Sequence, residues 1–194
     1  MAGGSGLLHG EFTSLTGSWV LDKSRSDVME PYLQCLNVAE LAIEAQAKCE
    51  ADSESRNVIN IDGTQFAIHK RTKINALTEH FELGKEREMP ARSGTRKTMV
   101  TLRKPGDYSA IDVTTAMPIS TGALHLLETR TLMDKGHTCL QELHLTNLAT
   151  GAKCLTRRVW VRVPTTHEDR AALEEETPPL TCMPGPMTPG TVMT

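Results

Sequence analysis

Short runs rich in β-branched and aliphatic residues, separated by turns of hairpin length, dominate the chain from residue 57 to residue 163. Asp62-Gly63 lies between two such runs and is the strongest hairpin signal in the sequence. Antiparallel strands at this spacing form a meander, and a meander that closes on itself leaves no open edges. The sequence therefore predicts an all-β fold, a ten-stranded up-and-down antiparallel β-barrel, with strands at 17–21, 57–61, 64–69, 74–83, 85–89, 97–102, 108–115, 124–133, 137–146 and 152–163.

Residues 26–52, between the first two predicted strands, have helical character. Asp27 and Asn37 each precede a glutamate by three residues, which is the spacing of a capping box. We therefore predict two short helices joined at Asn37, forming a helix-turn-helix lid on a lipocalin-like or calycin-like barrel. Because the lid is acidic, we expect no strong association with anionic membranes. Its acidic residues are Asp27, Glu30, Glu40, Glu44, Glu50 and Asp52.

Composition and motifs argue against several classes of function. The net charge of -3 gives no electrostatic case for nucleic acid as a partner. The N-terminus lacks the basic and apolar regions of a signal peptide, and no apolar stretch approaches the roughly 20 residues of a membrane helix. The 5 cysteines form no C-x-x-C pair, and the histidines lack metal-ligand spacing, so no metal or other cofactor is predicted. Without a P-loop or a nucleophile elbow, we expect a cytoplasmic binding protein and not an enzyme.

The predicted domain organisation has three parts. Residues 1–11 form a flexible N-terminal extension, residues 12–163 form the barrel, and residues 164–194 form a tail rich in Pro, Thr and Met. Little apolar surface is available in this tail to offset the entropy of ordering, so we expect it to be disordered or to order only on a partner. Residues 103–123 are expected to contain an added loop. The tail and this loop are the places where a protein partner is expected to bind.

Three segments give the chain a resemblance to a known family. They are Gly17-Ser-Trp19 in the first strand, Glu79-His-Phe-Glu-Leu-Gly-Lys-Glu86, and Arg96-Lys-Thr-Met-Val-Thr-Leu102. In this order, and with two helices after the first strand, they resemble the intracellular lipid-binding proteins, which include the fatty-acid-binding and retinoid-binding proteins. The resemblance covers roughly residues 12–163. It implies a barrel that carries a fatty acid or a similar small hydrophobic anion.

The resemblance also implies a site for the ligand carboxylate, made of two arginines and a tyrosine inside the barrel. Arg130 corresponds to the first arginine, Arg158 to the second, and Trp160 stands in place of the tyrosine. A shift of one residue would select Arg157 and Val159 instead; strand alternation places Arg158 and Trp160 on one face, which favours the first register. Two guanidinium groups suit a carboxylate, whereas arginines on the outer wall would only face solvent.

Apolar residues of the first predicted helix are the candidates for the portal and the cavity lining, with ordinary packing of helix on barrel as their alternative role. The predicted function is a carrier of a hydrophobic carboxylate such as a long-chain fatty acid. The alternative is a ligand-free barrel that serves as a structural or adaptor module in a larger assembly, for example a cytoskeletal one; the scarcity of aromatic residues, 4% of the chain, favours it. The portal candidates are Val28, Met29, Tyr32, Leu33 and Leu36.

Overall fold

A computed structural model of the chain describes residues 11–73, 75–91, 94–119 and 122–176. Ten strands and three α-helices lie in these residues, with short 3₁₀ turns at Lys23–Arg25 and Asp134–Gly136. The helices are α1 (Glu30–Cys35), α2 (Glu40–Asp52) and α3 (His167–Ala171). The strands are β1 (Gly17–Leu21), β2 (Arg56–Asp62), β3 (Gln65–Arg71), β4 (Ala76–Glu82), β5 (Glu86–Ala91), β6 (Gly94–Lys104), β7 (Asp107–Ile119), β8 (Gly122–Met133), β9 (Thr138–Asn147) and β10 (Lys153–Val163).

The ten strands form one antiparallel sheet in the order β4-β3-β2-β1-β10-β9-β8-β7-β6-β5. Apart from β4 and β5, strands that are neighbours in sequence pair with each other, and β1 pairs with β10 with Leu21 opposite Trp160. β4 and β5 are the two ends of the sheet, and Glu79 on β4 forms an ion pair with Arg96 on β6 across this gap. The predicted fold class, a ten-stranded up-and-down barrel with a helical lid, is confirmed.

Strand alternation directs one set of side chains into the barrel, where Trp19 is fully buried and donates from Nε1 to the carbonyl oxygen of Leu15 at 2.9 Å. The Arg162 guanidinium lies 4.1 Å from the Trp19 ring centroid and 4.3 Å from that of Phe12. Burial lowers the pKa of Arg162 to about 10, so it remains a cation at neutral pH. These aromatic and cationic groups fill one part of the barrel interior.

The predicted helix caps are wrong. The residue that caps α1 is Met29, the residue that caps α2 is Ala39, and neither contributes a side-chain hydrogen bond. The Asp27 carboxylate instead accepts from the backbone nitrogen of Arg157 on β10 at 2.7 Å, because the chain here packs against the barrel wall. Asn37 separates the helices with a positive φ of 59°, a conformation that asparagine tolerates better than most residues.

The added loop predicted within residues 103–123 is also wrong. β7 and β8 extend through most of that segment as a hairpin, paired as far as Ile119 opposite Gly122. Pro118 lies within β7, opposite Ala123, although proline lacks the N–H that a ladder needs. The register between β6 and β7 ends at Lys97 opposite Ala116, so Pro118 lies beyond the β6 ladder and its missing N–H is tolerated.

The residues that follow β10 were predicted as tail, but residues 164–176 pack on the outside of the barrel. α3 begins with a capping box in which the Thr166 hydroxyl accepts from the backbone nitrogen of Asp169. The buried Asp169 carboxylate accepts from Nε of Arg56 on β2 at 2.8 Å and from the hydroxyl of Ser18 on β1 at 2.9 Å. These contacts anchor the segment to two strands. Residues 1–10 and 177–194 lie outside the described part of the chain.

Candidate functional site

A cavity of about 190 Å³ lies inside the barrel beneath α1. Tyr32 of α1 and Leu36, directly after α1, cover it, and apolar side chains from five strands form most of its wall. Concave, mostly apolar space with a few polar groups is typical of small-molecule sites. The apolar wall includes Phe66, Ile68, Phe81, Val113, Leu124, Leu126 and Leu145.

Arg130 is buried inside the barrel, with 1% of its surface exposed. Its Nε donates to Oε1 of Glu128 at 2.6 Å, and its guanidinium lies 5.9 Å from the Trp160 ring centroid. When the Asn57 amide is oriented with its oxygen towards Arg130, the oxygen accepts a hydrogen bond from Nη1 of Arg130 at 3.2 Å. The structure therefore brings Arg130 and Trp160 together, but internal side chains already engage the guanidinium.

Glu128 is the residue of this site that the sequence analysis missed. Its Oε1 also accepts from Nε2 of Gln141 at 2.9 Å, and Oε1 of Gln141 accepts from Nε1 of Trp160 at 2.8 Å. Burial raises the pKa of Glu128, but the charges of Arg130 and Lys70 outweigh burial and hold that pKa below its usual value. Glu128 lies two residues before Arg130 on β8, so strand alternation was the signal that placed both inside.

Arg158 is buried as well, but it contacts the lid. Its guanidinium lies 2.8 Å from Oε2 of Glu50 on α2 and donates to the carbonyl oxygen of Asp27 at 2.9 Å. The neighbouring Arg157 points outward, with 56% of its side chain exposed, and pairs with Glu142 at 3.0 Å. The inward register is therefore that of Arg158 and Trp160. Arg158 is not among the residues that line the cavity.

The five portal candidates divide into two groups. Tyr32 and Leu36 line the cavity. Val28, Met29 and Leu33 line a separate pocket of about 320 Å³, which lies between α2 on one side and α1 with the residues before it on the other. Burial, together with the negative charge of Glu128, raises the pKa of Tyr32 to about 12. The Tyr32 phenol therefore stays neutral over Glu128 at physiological pH.

A second charged group on the cavity wall was not predicted. Glu79 pairs with Lys70, at 3.5 Å, and with Arg96. Glu79 is buried, whereas Lys70 and Arg96 keep 39% and 29% of their side chains exposed. The charges of Lys70 and Arg96 lower the pKa of Glu79 although burial raises it. This triplet reaches the gap between β4 and the β5–β6 hairpin, so it stabilises the incomplete edge of the barrel.

No three His, Cys, Asp or Glu side chains cluster as metal ligands in the described part of the chain. No helix within the described ranges is long and apolar enough to cross a membrane.

A larger groove of about 850 Å³ lies beside α3, lined in part by Phe12, Val163 and Leu173, and contains none of the predicted site residues.

Comparison with solved structures gives the fold a name. A Schistosoma mansoni fatty acid binding protein in complex with arachidonic acid superposes with a TM-score of 0.59 at 16% identity, over 79% of this chain and 99% of that one. The fold is that of the fatty-acid-binding proteins. The Caenorhabditis elegans lipid binding protein 8 gives 0.59 at 17% identity, over 76% and 94% of the two chains, and human cRBP IV gives 0.56 at 17%, over 77% and 98%.

Sequence comparison alone finds less. No family model matches the chain, and no curated protein matches it by sequence. At such low identity, the structural likeness shows that the chain has the barrel and lid of the fatty-acid-binding fold. It does not identify a ligand.

Proposed function

We propose that this protein reversibly binds a small hydrophobic ligand inside the barrel and is not an enzyme. The observation that carries the proposal is the apolar cavity beneath α1, enclosed by the barrel wall and covered by Tyr32 and Leu36. Burial of an aliphatic chain there stabilises the complex by about 0.8 kcal/mol per CH₂ group. The solved proteins of this fold include one in complex with arachidonic acid, which supports a lipid as ligand. The proposed location is the cytoplasm, without strong membrane association.

The size of the cavity bears on the ligand. A volume of about 190 Å³ is below the roughly 300–1,000 Å³ of typical ligand pockets. It suits a short or medium aliphatic chain, and a long chain or a multi-ring dye requires α1 to move outward.

The carboxylate-binding role of Arg130, Arg158 and Trp160 remains a prediction. Arg130 already pairs with Glu128, and Arg158 already pairs with Glu50 of the lid, so a ligand carboxylate that takes over either guanidinium displaces that partner. Both displacements leave a buried or half-buried carboxylate without its partner, which is costly. The internal ion pairs therefore weigh against the fatty-acid version of the proposal.

The test is binding of a neutral, polarity-sensitive dye such as Nile red, with competition by aliphatic ligands. Leu126→Trp fills the cavity from β8 and should abolish dye binding in a folded protein, because no space remains for the ring system. Leu155→Trp is the matched control, because Leu155 lies on the outer face of β10 with 41% exposure. Dye binding that survives Leu126→Trp would place the ligand elsewhere.

A ligand-free structural or adaptor module is the second candidate. The observation that favours it is that both predicted carboxylate-binding arginines already have internal partners. In that case the expected contacts to a protein partner lie in the C-terminal tail or within residues 103–123. A folded protein that binds no dye, and from which native mass spectrometry recovers no lipid, would support this candidate.

A further inference from the structure

We propose that the cavity selects hydrophobic ligands with a neutral, hydrogen-bond-donating head group, such as a fatty alcohol or a primary fatty amide, over carboxylates. The inference rests on the proposed function, because it assumes that the cavity binds a ligand. Glu128 is the residue that sets the preference.

Glu128 offers the cavity one carboxylate oxygen. Both of its hydrogen bonds, from Arg130 and from Gln141, end on Oε1. Within the described residues Oε2 accepts no hydrogen bond, although every fully buried side-chain oxygen or nitrogen there has a partner. Oε2 therefore keeps accessible surface, and Glu128 is one of the residues that line the cavity while being 7% exposed overall. An ionised carboxylate accepts hydrogen bonds and donates none, so the complementary ligand group is a donor.

A ligand carboxylate meets the opposite situation. It would place a second anion beside Glu128, and like charges brought together at a binding site disfavour binding. The cations of the cavity are already engaged, since Lys70 and Arg96 both pair with Glu79. Arg130 lies behind Glu128 and is not part of the cavity wall.

A ligand ammonium group is disfavoured for a different reason. Arg130 already balances the charge of Glu128, at 2.6 Å, so Glu128 does not need a second cation. An ammonium group would bring an excess of positive charge into a space of low dielectric. A hydroxyl or a primary amide donates to Oε2 without changing the charge, and the amide adds a carbonyl that can accept from a second group.

The experiment compares ligands that share one chain and differ in the head group. Octanol, octanamide, octylamine and octanoate compete with Nile red for the full-length protein at neutral pH. We expect octanol and octanamide to displace the dye at concentrations at least about tenfold lower than octanoate, because the carboxylate faces Glu128. Equal or tighter binding of octanoate would overturn the inference.

Variants assign the preference to its residue. Glu128→Gln removes the negative charge but keeps an oxygen for Arg130, so we expect the gap between octanol and octanoate to close. Because this variant leaves Arg130 without a counter-charge, Glu128→Gln combined with Arg130→Gln restores neutrality and should show the same loss of discrimination. Glu142→Gln is the matched control, since Glu142 pairs with Arg157 on the outer wall.

The outcomes separate the inference from the proposed function. A protein that binds dye and ligands but discriminates equally well after Glu128→Gln contradicts the inference and leaves ligand binding in place. Octanoate binding that depends on Lys70 and Arg96 contradicts it in the same way. A folded protein that binds neither dye nor ligand contradicts both.

Discussion

Glu128 and Arg130 form an ion pair on the inner face of β8, with Oε1 of the carboxylate 2.6 Å from Nε of the guanidinium. Both side chains are almost fully buried, at 10% and 1% exposure. The chain thus supplies, from its own sequence, the carboxylate that the arginine of such a barrel can bind.

Arg130→Ala should destabilise the protein by about 3–5 kcal/mol, because it leaves the Glu128 charge buried without a partner. Chemical denaturation at neutral pH measures this. Arg157→Ala removes an exposed pair of the same kind and should cost about 0–1 kcal/mol. The double change Glu128→Leu and Arg130→Met should recover most of the loss, since no unpaired charge remains. If Arg130→Ala and Arg157→Ala lower the free energy of unfolding by the same amount, Arg130 does not neutralise a buried charge on Glu128.

Removal of the Glu50 side-chain charge should loosen the lid. Glu50 holds α2 to Arg158 of the barrel at 2.8 Å. Loss of about 1 kcal/mol at this contact corresponds to about fivefold faster opening, so Glu50→Gln should accelerate amide hydrogen exchange in α2 to that extent. Glu44→Gln, on the exposed side of the same helix, should leave exchange unchanged. If amide hydrogen exchange in α2 of Glu50→Gln stays at the wild-type rate, the contact with Arg158 does not hold the lid.

Asp169→Asn should detach residues 164–176 from the barrel. Hydrogen bonds from Arg56 and Ser18 lower the pKa of the Asp169 carboxyl well below its usual value, although burial raises it. We expect a loss of about 2–3 kcal/mol at neutral pH, because hydrogen bonds to a charged group are removed. Limited proteolysis should then cut within α3. Glu168→Gln is the control, since Glu168 is exposed on the same helix.

The same carboxyl gives a dependence on pH with a definite sign. Since the pKa of Asp169 is lower in the folded protein than in the unfolded chain, its stabilising effect is complete above the unfolded pKa, about 3.9. It is lost as the pH falls below that value. Denaturation curves of the wild type and of Asp169→Asn should therefore converge in acid. A difference that is constant with pH would contradict the assignment.

The phenol of Tyr32 reports on the cavity. Burial and the Glu128 charge raise its pKa to about 12. In a Tyr108→Phe variant Tyr32 is the one tyrosine left of 2, so the ultraviolet absorbance of tyrosinate follows Tyr32 alone. We expect ionisation near pH 12, and a lower pKa once Glu128→Gln is added. An ordinary pKa of about 10 would mean that Tyr32 is open to solvent.

The strands were predictable because their signals are local. Asp62-Gly63 marks a hairpin whatever surrounds it, and the β2–β3 pairing follows from it directly. Alternation along β10 predicts that Arg158 and Trp160 share one face and that Arg157 lies on the other, and in the structure the face of Arg158 is the inner one. The helix caps and the hairpin around Pro118 were not predictable, because backbone pairing with other strands decided them.

The sequence by itself determined the ten strands, their meander and the helical lid, since periodicity and turn chemistry act over a few residues. Only the tertiary structure decided which charges meet. Glu50 reaches Arg158 because α2 folds over the end of the barrel, and Gln141 reaches Glu128 because β8 and β9 pair in one register. Such partners are chosen when the barrel closes and buries them together, where an unpaired charge is too costly to remain.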